Sequence, residues 1–126
     1  RYTQRYLLIF SVPIPGYVAP MAQVGPSSAR SIRPLFEVVE AIRVAGRLDD
    51  EAYRPIQPAY EAAFEQWRAY VGPIHPLTHF VAMTIWSRVH GFVSLEIHGH
   101  FPPFGDNGDA LYLTELHSIQ QQFLKS

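Results

Sequence analysis

The stretch between Pro76 and Gly99 constrains this chain more than any other part of it. Proline is favoured in the first turn of a helix, so Pro76 marks the start of one helix over about 76–98, which ends before the loop that opens at Gly99. At about 100° per residue, Val81, Ala82, Ile85, Trp86, Val89, Phe92, Val93 and Ile97 spread over roughly half its circumference, and Met83 and His90 extend the arc on the Trp86 side. A surface helix needs only a narrow apolar stripe. This helix must therefore be covered by more than one partner. Its opposite side carries Thr84, Ser87, Gly91 and Ser94, small residues that let another helix approach closely.

The rest of the chain reads as helices separated by proline and glycine. Residues 1–11, with the apolar run Tyr6-Leu7-Leu8-Ile9-Phe10, look like the end of a helix, and a chain that opens inside such a pattern is expected to be a piece of a longer protein. Pro13, Pro15, Pro20 and Pro26, with Gly16 and Gly25, predict a loop over 12–26. Ser27 or Ser28 is the expected cap of a second helix carrying Ile32, Leu35, Phe36, Val39 and Ile42, with a kink or start near Pro34 and a stop at Gly46. A third helix is predicted over 57–71, with Tyr60, Phe64, Trp67 and Val71 on one stripe before Gly72-Pro73. After a loop over 99–108, with Asp106 or Asn107 as cap, Tyr112, Leu116, Ile119 and Phe123 mark a last helix. No strand alternation appears. The fold expected is a single all-α domain, a bundle of about five helices. The last two meet a two-fold mate in a four-helix interface; a monomer whose wide apolar face is the domain centre is the plainer alternative.

Composition narrows the functions. The 126 residues, 48% hydrophobic and 17% charged, suffice for one core. A net charge of −1 gives no basic face for phosphates. The absence of cysteine excludes disulfides and thiolate zinc sites, and no apolar run reaches the roughly 18 residues of a membrane span.

Of the six histidines, His75 and His79 lie four apart, as do Glu96 and His100. HxxxH on a helix can bind a metal. His75, however, falls at or before the helix start and His100 beyond its end, and the two pairs stand roughly 30 Å apart at 1.5 Å per residue. No metal and no cofactor is assigned. Ser11, Ser87 and Ser94 lack any nucleophile turn, so no catalytic residue is assigned either. Met83, Trp86 and His90, facing Phe64 and Trp67 from the neighbouring helix, have the composition of an apolar pocket with one polar anchor. From the residues alone, a satisfied core histidine beside a core tryptophan is the simpler account.

The run Trp86-Ser87-Arg88-Val89-His90-Gly91, continuing through Phe92-Val93-Ser94-Leu95-Glu96, resembles the Trp…His-Gly signature of a class of TetR-type regulator C-terminal domains. The opening Arg5-Tyr6-Leu7-Leu8-Ile9-Phe10, with Pro13-Ile14-Pro15-Gly16-Tyr17, and Trp67 with the Gly72 after it, are similar to the same domain. The resemblance implies a cytoplasmic, non-enzymatic homodimer that senses a small, largely apolar effector and controls a separate N-terminal helix-turn-helix domain. DNA would be bound only through that domain. It places the effector on Met83, Trp86, His90, Phe64 and Trp67, with Phe36 and Tyr60 behind them, and the dimer interface on Ile85, Val89, Phe92, Leu116, Ile119 and Phe123. A helical-bundle enzyme with histidine-bound metal is the rival reading, and a filled dimerisation domain without a cavity is a third.

Overall fold

Helix α1 (Thr3–Phe10) is followed by α2 (Met21–Val44), a 3₁₀ turn (Arg54–Ile56), α3 (Gln57–Phe64), α4 (Arg68–Val71), α5 (Pro76–Ile97) and α6 (Gly108–Phe123). The computed structural model describes residues 2–10, 15–101 and 108–125, and among them there is no strand. The architecture is the expected all-α bundle. The proposed caps Asp106 and Asn107 and part of the 99–108 loop lie outside the described residues.

Two expectations about helix boundaries need correction. Helix α2 starts at Met21, so Ser27 and Ser28 lie inside it and Pro20 takes the cap position. Pro26 and Pro34 are both accommodated within the helix. Each deletes one backbone bond, but both prolines, and Ala22 and Arg30 whose carbonyls lose a partner, are exposed, so water can replace what is lost. The predicted helix over 57–71 also breaks. The amides of Gln66 and Trp67 bond three residues back, to Ala63 and Phe64, which tightens the turn and ends α3. The aromatic stripe breaks with it: Phe64 is 2% exposed whereas Trp67 is 48% exposed.

The glycine stops behave as their chemistry requires. Gly46 (φ +71°) and Gly99 (φ +66°) sit in the left-handed region. In each case the next residue's amide reaches back five residues, Arg47 to Ile42 at 3.1 Å and His100 to Leu95 at 2.9 Å, closing a Schellman motif. At the other end of α5, His75 is the N-cap, its Nδ1 accepting from the Leu77 amide at 3.2 Å.

Helix α5 runs through the centre, packed by α2, α3 and α6. The core gathers Phe36, Val39, Leu48, Val81, Ala82, Ile119 and Phe123. The C-terminal residues close it from below, where Leu48 and Leu124 form an antiparallel bridge flanked by Asp49 N–H to Phe123 O at 2.8 Å and Lys125 N–H to Arg47 O at 2.9 Å. The buried residues of α5 are confined to its first two turns: Thr78, His79, Val81 and Ala82. Its second half, which still carries Val89, Phe92, Val93, Leu95 and Ile97, is only partly covered.

Candidate functional site

His79, Met83, Trp86 and His90 follow one another at i, i+4, i+7 and i+11, so they form one stripe along α5. The two histidines stand about 16 Å apart at 1.5 Å per residue. Their surroundings differ.

At the first end, Phe36 of α2 stacks on the His79 ring (5.6 Å between centroids), and Phe64 and Tyr60 of α3 close in at 4.8 Å and 6.0 Å. The Tyr60 hydroxyl lies 2.7 Å from His79 Nδ1. Burial lowers the His79 pKa and pushes the Tyr60 phenol up to about 12, so both are neutral and the phenol is the natural donor to Nδ1. Next to this cluster, the Glu40 carboxylate is held by Arg43 (2.9 and 2.6 Å) and by the Thr78 hydroxyl. The Arg43 hydrogen bonds, reinforced by Thr78, take its pKa down to about 2. Glu40, Arg33, Glu37, Phe36, Val71 and Ile74 line an open cleft of about 360 Å³ between α2 and the α4–α5 connection.

At the second end, His90 is covered from α1. Tyr6 stacks on its ring at 5.9 Å and Phe10 approaches at 4.8 Å, while Trp86 packs on it at 4.3 Å. The Tyr6 hydroxyl is 3.2 Å from His90 Nδ1 and 3.4 Å from the His90 carbonyl. The two contacts are satisfied together when Nδ1–H donates to the phenol oxygen and the phenol donates to the carbonyl. Partial burial lowers the His90 pKa, which favours the neutral ring. The covering helix is itself open to water: Ile9 is 70% and Phe10 53% exposed.

Residues 1–119 match the family model described as tetracyclin repressor-like, C-terminal domain. The chain belongs to that family. Curated relatives of this tetracyclin repressor-like domain include the HTH-type transcriptional regulators Rv1816 of Mycobacterium tuberculosis and Mb1846 of Mycobacterium bovis, each 26% identical over 100 residues. The match covers 77% of this chain, which spans 42% of the length of each relative. No solved structure matches the chain significantly.

Within this tetracyclin repressor-like domain, the expected effector residues fall into two groups. Trp86 and His90 are brought together; Phe64 is a helical span away against His79, with the weaker candidates Phe36 and Tyr60; Met83 packs on the core between them; and Trp67 faces outward. Tyr6 and Phe10, the actual neighbours of His90, were missed, because 84 residues separate Tyr6 from His90 and no local pattern links them. His79, whose spacing to His75 suggests only a metal pair, shares the stripe of Trp86 and His90. Among the described residues no three histidine or carboxylate groups gather where an ion could be held, and Nδ1 of both His75 and His79 is engaged within the protein.

The expected interface residues are placed as plainly. Ile119 and Phe123 are buried in the protomer core and Ile85 packs against it; Phe92 meets Tyr112 and Phe101 of its own chain. Ile119 and Phe123 are thus covered within the chain itself, whereas Ile85 and Phe92 are half-buried and keep part of their surface open. Val89 is partly covered, and Leu116 stays on the surface. Arg88 holds α6 to α5 through Glu115 (3.1 Å) and Gln122 (2.9 Å). With α6 on the Arg88–Phe92 flank and α1 on the Trp86–His90 flank, the outer face of α5 is the small-residue side. There Gly91, Ser94, Leu95, His98 and His100 line a shallow, open concavity of about 390 Å³.

Proposed function

We propose that this chain is the effector-sensing and dimerisation domain of a cytoplasmic, non-enzymatic transcriptional regulator, and that it governs DNA binding by a separate helix-turn-helix domain. Family membership and the names of the relatives support the regulator reading. The observation that carries the pairing half is the outer face of α5. Ser87 and Gly91 are exposed, Leu95 is 44% exposed, and a Cβ built on Gly91 meets nothing within 4 Å. Leu113 and Leu116 of α6 add apolar surface. A second copy laid against α5 and α6 would cover the half of α5 that one protomer leaves incomplete.

In this reading a small, largely apolar effector acts at the Trp86–His90 end. Its preference for one arrangement of the domain is a coupling free energy. Two DNA-reading heads must match a fixed half-site spacing, so a small rigid-body change suffices to lower operator affinity.

Sedimentation equilibrium of the protein and of Gly91→Leu tests the pairing. The unaltered chain is expected at twice 14.3 kDa. The variant, whose new side chain has room within the protomer, is expected to fold and to dissociate at higher concentration. A stable 14.3 kDa species from the unaltered chain would contradict the proposal. Thermal-shift titration with apolar compounds tests the sensing half, and a chain that none of them stabilises would contradict it.

A further inference from the structure

We propose that the Trp86–His90 niche is a binding site for small phenols, and that Tyr6 is the chain's own occupant of it. The inference rests on the sensing role proposed above and names its ligand chemistry. The structure displays the recognition directly. A phenol ring lies stacked on the His90 imidazole at 5.9 Å, its hydroxyl 3.2 Å from Nδ1 and 3.4 Å from the His90 carbonyl. Trp86 and Phe10 flank the imidazole at 4.3 Å and 4.8 Å. A free phenol entering the place of Tyr6 inherits the stacking surface and both hydrogen-bonding groups. An aromatic hydrocarbon of the same size inherits only the surface and offers His90 Nδ1 no hydrogen-bond partner.

Tyr6 is suited to yield. It belongs to α1, whose exposed flank leaves the ring held mainly by its contacts with His90 and Phe10. Helix α1 takes no part in the principal helix packings of the bundle, and two of its apolar residues, Ile9 and Phe10, are largely exposed. Lifting it uncovers His90 without opening the core around Phe36, Val81 and Phe123. Ligand and Tyr6 then compete, and the apparent affinity is the intrinsic affinity reduced by the fraction of molecules in which Tyr6 has left.

That competition sets a sign no ordinary wall residue produces. The probe is p-cresol, the tyrosine side chain cut at Cβ, with toluene as the control lacking the hydroxyl. Binding is read from the Trp86 indole signal in an NMR titration of the whole chain, with Trp67→Phe used to assign it. Tyr6→Ala is expected to tighten p-cresol binding about ten-fold if Tyr6 leaves the niche about a tenth of the time. His90→Ala is expected to abolish saturable binding in a protein whose His79 and Tyr60 signals are unchanged. p-Cresol is expected to bind more tightly than toluene. Weaker or unchanged p-cresol binding in Tyr6→Ala would overturn the proposal. Toluene binding as tightly as p-cresol would overturn the phenol assignment while leaving an apolar sensing site in place. Sensing itself fails separately, when no apolar compound stabilises the chain.

Discussion

The two histidines of α5 lie on the same stripe of the same helix, yet one has become core and the other a joint. His79 is enclosed by rings from α2 and α3, elements that are themselves fixed by the Phe36–Val81–Phe123 core. His90 is enclosed by rings from α1, a helix whose Ile9 and Phe10 are largely exposed. Both environments lower the histidine pKa and both supply a tyrosine hydroxyl. What differs is the anchorage of the partners. As proposed above, the same side-chain chemistry gives a lasting contact where the partner is buried and an exchangeable one where it is not.

The contrast is broken most forcefully by truncating one ring from each cluster. Phe64→Ala empties a site that is 2% exposed and is expected to cost about 3–5 kcal/mol in denaturant unfolding. Phe10→Ala, at a residue that is 53% exposed, is expected to cost less than about 1 kcal/mol. Equal losses would erase the distinction. The hydroxyls sharpen it. Tyr60→Phe strands a buried imidazole nitrogen and is expected to lose about 1–3 kcal/mol, whereas Tyr6→Phe should change global stability by no more than about 0.5 kcal/mol.

Acid should reveal the same asymmetry more gently. Burial lowers the His79 pKa below 6.5 in the folded chain, so on acidification the unfolded chain takes up that proton first. Stability is then whole above pH 6.5 and falls as the pH drops below it. Glu40 contributes a second loss as the pH falls from 4.5 toward about 2, because its folded carboxyl resists protonation. Urea midpoints measured across this range are expected to decline in two stages. His79→Phe should remove most of the first stage and leave the second.

Much of this was legible in the sequence, for identifiable reasons. Pro76 opens α5 and Gly46 closes α2 because proline at a helix start and glycine past a helix end answer to backbone geometry that holds in any fold. The excess apolar width of α5 correctly signalled a helix needing several neighbours. Pro26 and Pro34 misled, because whether a proline breaks a helix depends on whether water can reach the freed carbonyl, and that is known only once exposure is known. The tight turn at Glu65-Gln66-Trp67 carries no glycine or proline, so the stripe through Trp67 read as continuous. The partners of His90 were beyond reach for a different reason: a contact spanning 84 residues is decided by how α1 docks, and no local pattern records that. Periodicity likewise grouped Leu116, Ile119 and Phe123 as one apolar stripe without showing that Ile119 and Phe123 are buried in the core while Leu116 is exposed.

Native-state hydrogen exchange, read residue by residue, tests most directly the claim that the His90 end opens while the His79 end does not. The amides of α1 are expected to exchange through local opening, at rates insensitive to low concentrations of denaturant, orders of magnitude faster than those of residues 79–82 in α5, which should exchange only on global unfolding. Protection of α1 equal to that of residues 79–82 would contradict the account.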